Sequence, residues 1–258
     1  MSQPSIWAVV PAAGIGTRFA ADRPKQYLPL AGQLIAERSL NTLESSGLFT
    51  AIVVAVNPLD SYFNLLPAAA LPLVERVDGG ASRAESVLNG LKALSSRAKK
   101  DDWVMVHDIA RPLVTVASLH RLRDAVSDTD VAAILAAPIY DTIKQVALPS
   151  ADSDGKQNAD LPIIQATLDR RQLWAAQTPQ MVRYGLLCEA LSQALAADDT
   201  ATDDTATDDT VTDNTVTDEA SAVERLGADV VVVENTQKNI KITTADDLQM
   251  AAFFLSLH

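Results

Sequence analysis

The amino-acid sequence predicts an α/β fold, a mostly parallel twisted sheet between helices. Three observations carry that expectation. Apolar runs of strand length alternate with stretches of helical periodicity along the chain. Several runs are apolar throughout, as in Ala51-Ile52-Val53-Val54-Ala55-Val56, a pattern typical of strands buried on both faces by helices. Helix-opening signatures stand where the alternation needs them: Ser82-Arg83-Ala84-Glu85 and Thr244-Ala245-Asp246-Asp247 each place a hydroxyl three residues before a carboxylate.

Element by element, strands are expected at Ile6–Ala12, Ala51–Val56, Leu73–Val77, Trp103–His107, Val131–Ala136, Asp229–Val233 and Asn239–Ile242. The Ser82 helix aligns Val87, Leu88, Leu91 and Leu94 on one face; the Thr244 helix aligns Leu248, Ala251, Ala252 and Leu255. Further helices are expected over 33–46, 116–127, 184–196 and 218–226, with Gly227 placed to end the last. Such a doubly wound sheet presents ligand sites beyond the C-terminal ends of its strands.

Two segments break the alternation. Residues 143–162 are polar and turn-rich between extended stretches at Ala137–Thr142 and Ile163–Thr167, which suits a β-arm projecting from the body over 137–167. Residues 198–217 hold a five-residue Thr/Asp repeat, too polar to offset the entropy of ordering, and are expected to be a solvated, disordered loop. Seven aspartates lie there, so the net charge of −12 falls to −5 without them. The acidity is local, and no basic face suggests nucleic acid. The 258 residues suit one globular domain. No apolar run approaches the ~20 residues of a membrane span, and no signal peptide is visible, so a soluble cytoplasmic protein is expected. The single cysteine, Cys188, sits in a helical apolar pattern and reads as a core residue.

Three strand exits carry candidate chemistry. The first is Pro11-Ala12-Ala13-Gly14-Ile15-Gly16-Thr17-Arg18, followed by Arg23-Pro24-Lys25-Gln26-Tyr27. Its glycines let backbone N–H groups approach a phosphate. It is neither the dinucleotide fingerprint nor a P-loop. A bare Gly-x-Gly is often only a turn; the cations that follow point to a triphosphate. The second, Val77-Asp78-Gly79-Gly80-Ala81-Ser82-Arg83, offers a helix N-terminus, or simply a turn and cap. The third, Val106-His107-Asp108-Ile109-Ala110-Arg111-Pro112, ends a buried strand; Asp108 could hold a metal or sugar hydroxyls and Arg111 a phosphate. His107 reads as a satisfied structural histidine. Asp141-Thr142-Ile143-Lys144, Asp169-Arg170, Gln177-Thr178-Pro179-Gln180 and Asn239-Ile240-Lys241-Ile242-Thr243 complete the set, although each read alone is no more than a surface pair or an edge strand.

Together the stretches PAAGIGTR, RPKQYLPL, VDGGASRAESVLNGL, VMVHDIARP, AAPIYDTIK, TLDRRQLW, AQTPQ, TDEASAVE and NIKIT resemble the 2-C-methyl-D-erythritol 4-phosphate cytidylyltransferases of the non-mevalonate isoprenoid pathway, in that family's order and over nearly the whole chain. The resemblance implies a Rossmann-like nucleotidyltransferase fold, a homodimer whose β-arm completes the partner's site, CTP and methylerythritol phosphate as substrates, and a Mg2+ requirement. It implies that Arg18, Lys25 and the loop Pro11, Ala12, Ala13, Gly14 and Gly16 hold CTP, with Gly80, Ala81 and Ser86 around cytosine and ribose. Asp108, Arg111, Thr178 and Lys241 would line the meeting point of the second substrate and the α-phosphate, with Arg18, Lys25 and Lys241 catalytic. Thr142 and Arg170 would come across the dimer. Mg2+ would be held mainly by the CTP phosphates, with Asp108 a possible ligand. Ala81 stands where many members are acidic, Ile109 where they are small, and Phe19 where they carry methionine; the repeat has no counterpart.

A phosphate monoester is mostly dianionic at neutral pH, so such a reaction needs no general base. Two rivals remain at this point. A ribitol-5-phosphate or other sugar-phosphate nucleotidyltransferase typically carries Ala-Gly-Gly where this chain has Ala12-Ala13-Gly14. A non-catalytic nucleotide-binding protein would be expected to lose some of the cations.

Overall fold

The structure, a computed structural model, describes residues 4–14, 23–126, 131–147, 161–200 and 216–257. Gly16, Arg18 and Phe19, the tip of the expected arm and residues 201–215 of the repeat lie outside the described residues.

The elements run β1 (Ile6–Ala12), β2 (Pro29–Leu30), β3 (Gln33–Leu34), α1 (Ile35–Ser45), β4 (Ile52–Val56), β5 (Val74–Asp78), α2 (Arg83–Ala93), β6 (Trp103–Val106), α3 (Val116–Ala125), β7 (Ala132–Pro138), β8 (Lys144–Ala147), β9 (Ile163–Thr167), β10 (Trp174–Arg183), α4 (Tyr184–Thr200), α5 (Glu219–Glu224), β11 (Val231–Glu234) and α6 (Ala245–Ser256). Seven strands form one sheet in the order β11-β7-β10-β6-β1-β4-β5. Only β10 is antiparallel to its neighbours. From β1 the chain winds outward through β4 and β5, then crosses back to place β6 on β1's other side. That reversal opens a crevice at the ends of β1 and β6, where open α/β sheets bind ligands.

Alternation along β1 shows how the sequence builds two cores. Ala8, Val10 and Ala12 meet Leu40 and Leu43 of α1 and Leu119 and Leu122 of α3. Trp7 and Val9 face the opposite layer, with Val87 and Leu91 of α2, Leu187 and Leu191 of α4 and Val223 of α5. Strand side chains point alternately to opposite faces, so a continuously apolar strand feeds both layers. Gly90 of α2 is part of this fit: a Cβ there would lie 2.6 Å from Val9 Cγ1. At the N-terminal side, the buried carboxylate of Asp102 accepts from Ser5 N, Trp7 Nε1 and Lys99 N. Cys188 is half-buried on α4, where burial pushes its thiol pKa up. Among the described residues no helix is long and apolar enough to cross a membrane.

Several expectations need correction. Asn239–Ile242 is not a strand: its Asn239 carbonyl accepts from the Arg111 side chain, and Ile242 N bonds to Ala110 O outside any ladder. Gln177–Gln180 belongs to a ten-residue strand inside the sheet, β10, and not to a surface pair or an edge strand. The structure accommodates the proline because 177–179 leave the ladder, with Ala176 opposite Ala136 and Gln180 opposite Ile134. The outlying hairpin begins later than 137–142: β7 runs through Pro138, and β8 pairs with β9 as a separate two-stranded sheet. α4 extends to Thr200, into the start of the segment expected as loop.

Candidate active site

The first wall is the exit of β1. Gln26, buried in a short 3-10 turn at Lys25–Tyr27, donates from Nε2 to Ala12 O at 3.1 Å and to Gly14 O at 3.3 Å. This holds the start of the glycine loop and places Lys25 beside it. The second wall is the N-terminus of α2. Ser82 Oγ accepts from Glu85 N at 3.1 Å and the Glu85 carboxylate accepts from Ala81 N and Ser82 N, the capping box its sequence predicted. Ser86 Oγ accepts from Gly80 N at 3.0 Å. Gly79 is needed for close approach: a Cβ there would stand 2.6 Å from Ala13 Cβ. The two phosphate-type exits therefore touch.

Asp108, at the end of β6, is the centre. Its Oδ1 accepts from Arg83 Nε at 2.9 Å; its Oδ2 lies 2.8 Å from Lys241 Nζ and 4.0 Å from Arg111 Nε. Arg83 in turn forms a fork–fork pair with the fully buried Glu219, at 2.6 and 3.0 Å. Burial pushes the Asp108 carboxyl up, but Arg83 and Lys241, with Arg111 behind them, outweigh it and hold the group well below the usual carboxylate range. Burial would lower Arg83, yet Glu219 and Asp108 keep its guanidinium above its ordinary value. Burial lowers Arg111, partly offset by Asp108. Arg111 donates to Asn239 O at 2.8 Å, while its Nε has no hydrogen-bond acceptor among the described residues.

His107 is fully buried and neutral, its pKa pushed down to about 4 by burial. Its tautomer follows from its partners. Nε2 faces the carbonyl of Arg111 at 3.2 Å, which only accepts, so Nε2 carries the hydrogen. Nδ1 then accepts from the Thr178 hydroxyl at 3.1 Å, and Thr178 Oγ1 accepts from Asp108 N at 3.0 Å. This relay fixes the backbone at Asp108 and leaves His107 no free ring nitrogen for proton transfer.

Two pockets open on either side of Asp108. One is lined by Pro11–Gly14, Lys25, Gly80–Arg83, Ser86 and Ile109. The other is lined by Arg111, Ala176–Thr178, Gln180, Thr217 and Asp218. Both share Arg83, Asp108 and Lys241.

Known proteins resemble this chain in sequence and fold. The family model for 2-C-methyl-D-erythritol 4-phosphate cytidylyltransferase (IspD) matches residues 6–212 and 206–257. The chain belongs to this family. Among relatives of that name, one from Pseudomonas putida (strain GB-1) is 41% identical over 95% of this chain and 94% of its own length. One from Vibrio vulnificus (strain YJ016) is 42% identical over 99% and 96%. The crystal structure of the Francisella tularensis cytidylyltransferase superposes with a TM-score of 0.73 at 37% identity, covering 96% of this chain and 99% of that one. The Thermus thermophilus cytidylyltransferase gives 0.69 at 26% identity, covering 98% and 99%.

Within this family member, Pro11, Ala12, Ala13, Gly14, Lys25, Gly80, Ala81, Ser86, Asp108 and Lys241 meet in the first pocket, and Arg111 and Thr178 join in the second. Ala81 has its N–H engaged by the Glu85 carboxylate. Thr142 and Arg170 are not brought to either pocket: both are exposed at the base of the outlying hairpin, where Arg170 Nη1 donates to Tyr140 O. Sequence reasoning missed Gln26, Arg83 and Glu219. Arg83 and Glu219 stand 136 positions apart, and nothing local marks either as the other's partner.

Proposed function

We propose that this chain transfers the cytidylyl group of CTP to 2-C-methyl-D-erythritol 4-phosphate, releasing pyrophosphate and forming 4-diphosphocytidyl-2-C-methyl-D-erythritol. The observation that carries this reading is the pair of pockets sharing Asp108 and Lys241: two phosphorylated reactants can meet there at one cationic wall. CTP takes the first pocket, with its base and ribose toward Gly80, Ala81, Ser86, Ala12 and Ala13, and its phosphates toward Lys25 and Lys241. The second substrate takes the pocket lined by Arg111 and Thr178, where the Arg111 guanidinium supplies positive charge.

In the reaction an oxygen of the acceptor phosphate forms a bond to the α-phosphorus of CTP, and the bond from that phosphorus to the bridging oxygen of pyrophosphate breaks. The nucleophile is already a dianion, its second pKa being about 6. No proton need be removed, which suits a site whose central histidine is buried and neutral. What the protein supplies is position and charge: Lys241, Lys25, Arg111 and, from the glycine loop, Arg18 offset the repulsion between two anions. Asp108 attacks nothing; it aligns Lys241 and Arg83.

Magnesium enters this reading with the substrate, carried on the CTP phosphates. Both Asp108 oxygens are bonded to cations, and among the described residues no three His, Cys, Asp or Glu side chains group to hold a metal. Among the described residues, the donors at this site do not fit a resident ion. In the same reading the protein works in the cytoplasm as a homodimer, with Thr142 and Arg170 reaching the pocket of a second copy. The exposure of Tyr140, Val146, Ile163, Ile164 and Trp174 on and beside the hairpin supports a covering partner.

The test is pyrophosphate release with Mg2+, offering CTP, ATP, GTP or UTP with methylerythritol phosphate or ribitol phosphate. CTP with methylerythritol phosphate is expected to be the fastest combination. Faster turnover with ribitol phosphate would overturn the reading in favour of a polyol-phosphate enzyme.

A further inference from the structure

We propose that Gln177 and Gln180 are positioning residues for this reaction: two buried amides flanking Thr178 clamp, one on each side, the segments that bring Lys241 and Arg83 to the two oxygens of Asp108. Gln177 is 5% exposed and Gln180 1%. Gln177 sits where β10 leaves its ladder and Gln180 where it resumes; because both side chains are buried, their amides must find partners inside the protein.

The partners fall on two separate segments. Gln177 Oε1 accepts from Asn235 Nδ2 at 2.9 Å and Asn239 Nδ2 at 3.1 Å, and its Nε2 donates to Thr236 O at 3.0 Å. All three bonds go to the loop that leads from β11 to Lys241. Asn239 Nδ2 also donates to Thr178 O at 2.9 Å, and its carbonyl holds Arg111. Gln180 points the other way. Its Oε1 accepts from Ala220 N at 2.8 Å and its Nε2 donates to Asp218 Oδ2 at 2.8 Å. Those two residues bracket Glu219, which grips Arg83. Asp108 Oδ2 is thus served through Gln177 and Oδ1 through Gln180. Glutamine suits both places because one side chain donates and accepts at once, with the reach to cross from strand to loop.

The inference rests on the cytidylyltransferase reading for its kinetic part only. The test compares wild type with Gln177→Met and Gln180→Met, similar in volume but without the amide. Lysine acylation by acetic anhydride and arginine modification by phenylglyoxal are each read by peptide mass spectrometry well below the melting temperature. In wild type, Lys241 is expected to react several-fold more slowly than exposed Lys92. Gln177→Met should raise the Lys241 rate several-fold and leave Arg83 unchanged; Gln180→Met should raise Arg83 and leave Lys241 unchanged. Each variant should lower kcat by roughly 10–100-fold, the scale of a small misplacement of a catalytic group, with KM for CTP changed less than about threefold. If the methionine variants fail to fold, Gln177→Asn and Gln180→Asn, one methylene shorter but still polar, should show the same crossed pattern. Equal reactivity of Lys241 and Lys92 in wild type would overturn the proposal. So would a folded variant with unchanged labelling, or labelling that rises at Lys241, Arg83 and Lys92 together. A wild-type enzyme inert toward CTP and methylerythritol phosphate would instead refute the functional reading, while the labelling pattern would still judge the clamp.

Discussion

Lowering the pH from 7 to 5 should weaken the fold by about 2 kcal/mol through His107 alone. Burial depresses the folded-state pKa of His107 from 6.5 to about 4. Between those values the unfolded chain binds the proton and the folded chain does not, so stability rises with pH across this window. The contribution is fully present above the unfolded value and is lost as pH falls toward the folded one, reaching about 3 kcal/mol at pH 4. The perturbation that isolates it is His107→Asn, which keeps an acceptor for the Thr178 hydroxyl but cannot take up a proton. Urea unfolding of both proteins at one concentration, from pH 7 down to pH 4.5, is the assay. The variant should be less stable at pH 7, because it leaves a gap where the ring was. The stability difference should shrink by about 2 kcal/mol on going to pH 5. Parallel stability curves across that range would refute the reasoning, since they would mean that His107 takes up its proton equally in both states.

Other consequences can be checked directly. Lys25→Ala should lower kcat by roughly 10²–10³-fold, the scale of a lost transition-state contact; a fully active variant would remove Lys25 from the mechanism. Gly79→Ala forces a methyl to within 2.6 Å of Ala13 Cβ. It should raise KM for CTP more than it lowers the melting temperature, and an unchanged KM would show that the two exits need not touch. Asp102→Ala strips the acceptor from three N–H groups far from the pockets. A loss of about 3 kcal/mol is expected in denaturant titrations, since buried donors left unmade cost about 1–3 kcal/mol each, with turnover at 25 °C near wild type.

Most of the sheet was legible in the sequence because its strands are short, apolar and separated by helical periodicity. β1 falls where expected, at Ile6–Ala12, and β4, β5, β6, β7 and β11 fall within two residues of expectation at either end. Both capping boxes could be read from four residues each, because a cap is a local hydrogen bond. β10 could not be read this way. Its Gln177, Thr178 and Pro179 read alone as a surface pair or an edge strand, and they lie inside the sheet because the ladder opens around them. Likewise Asn239–Ile242 looks like a strand by composition, yet its backbone bonds to Thr236, Lys238, Ala110 and the Arg111 side chain instead of a neighbouring strand.

The sequence by itself determined the alternating layers, the glycine exits after β1 and β5, and the residue types suited to polyphosphate chemistry. Those features depend on neighbours within a few positions. Only the tertiary structure decided that Arg83, Arg111 and Lys241 all face one carboxylate, that Glu219 secures one of them, and that Thr178 and His107 support the backbone of Asp108. Charges that far apart in the chain meet when the sheet folds, and the desolvated Asp108 then needs them to remain ionised.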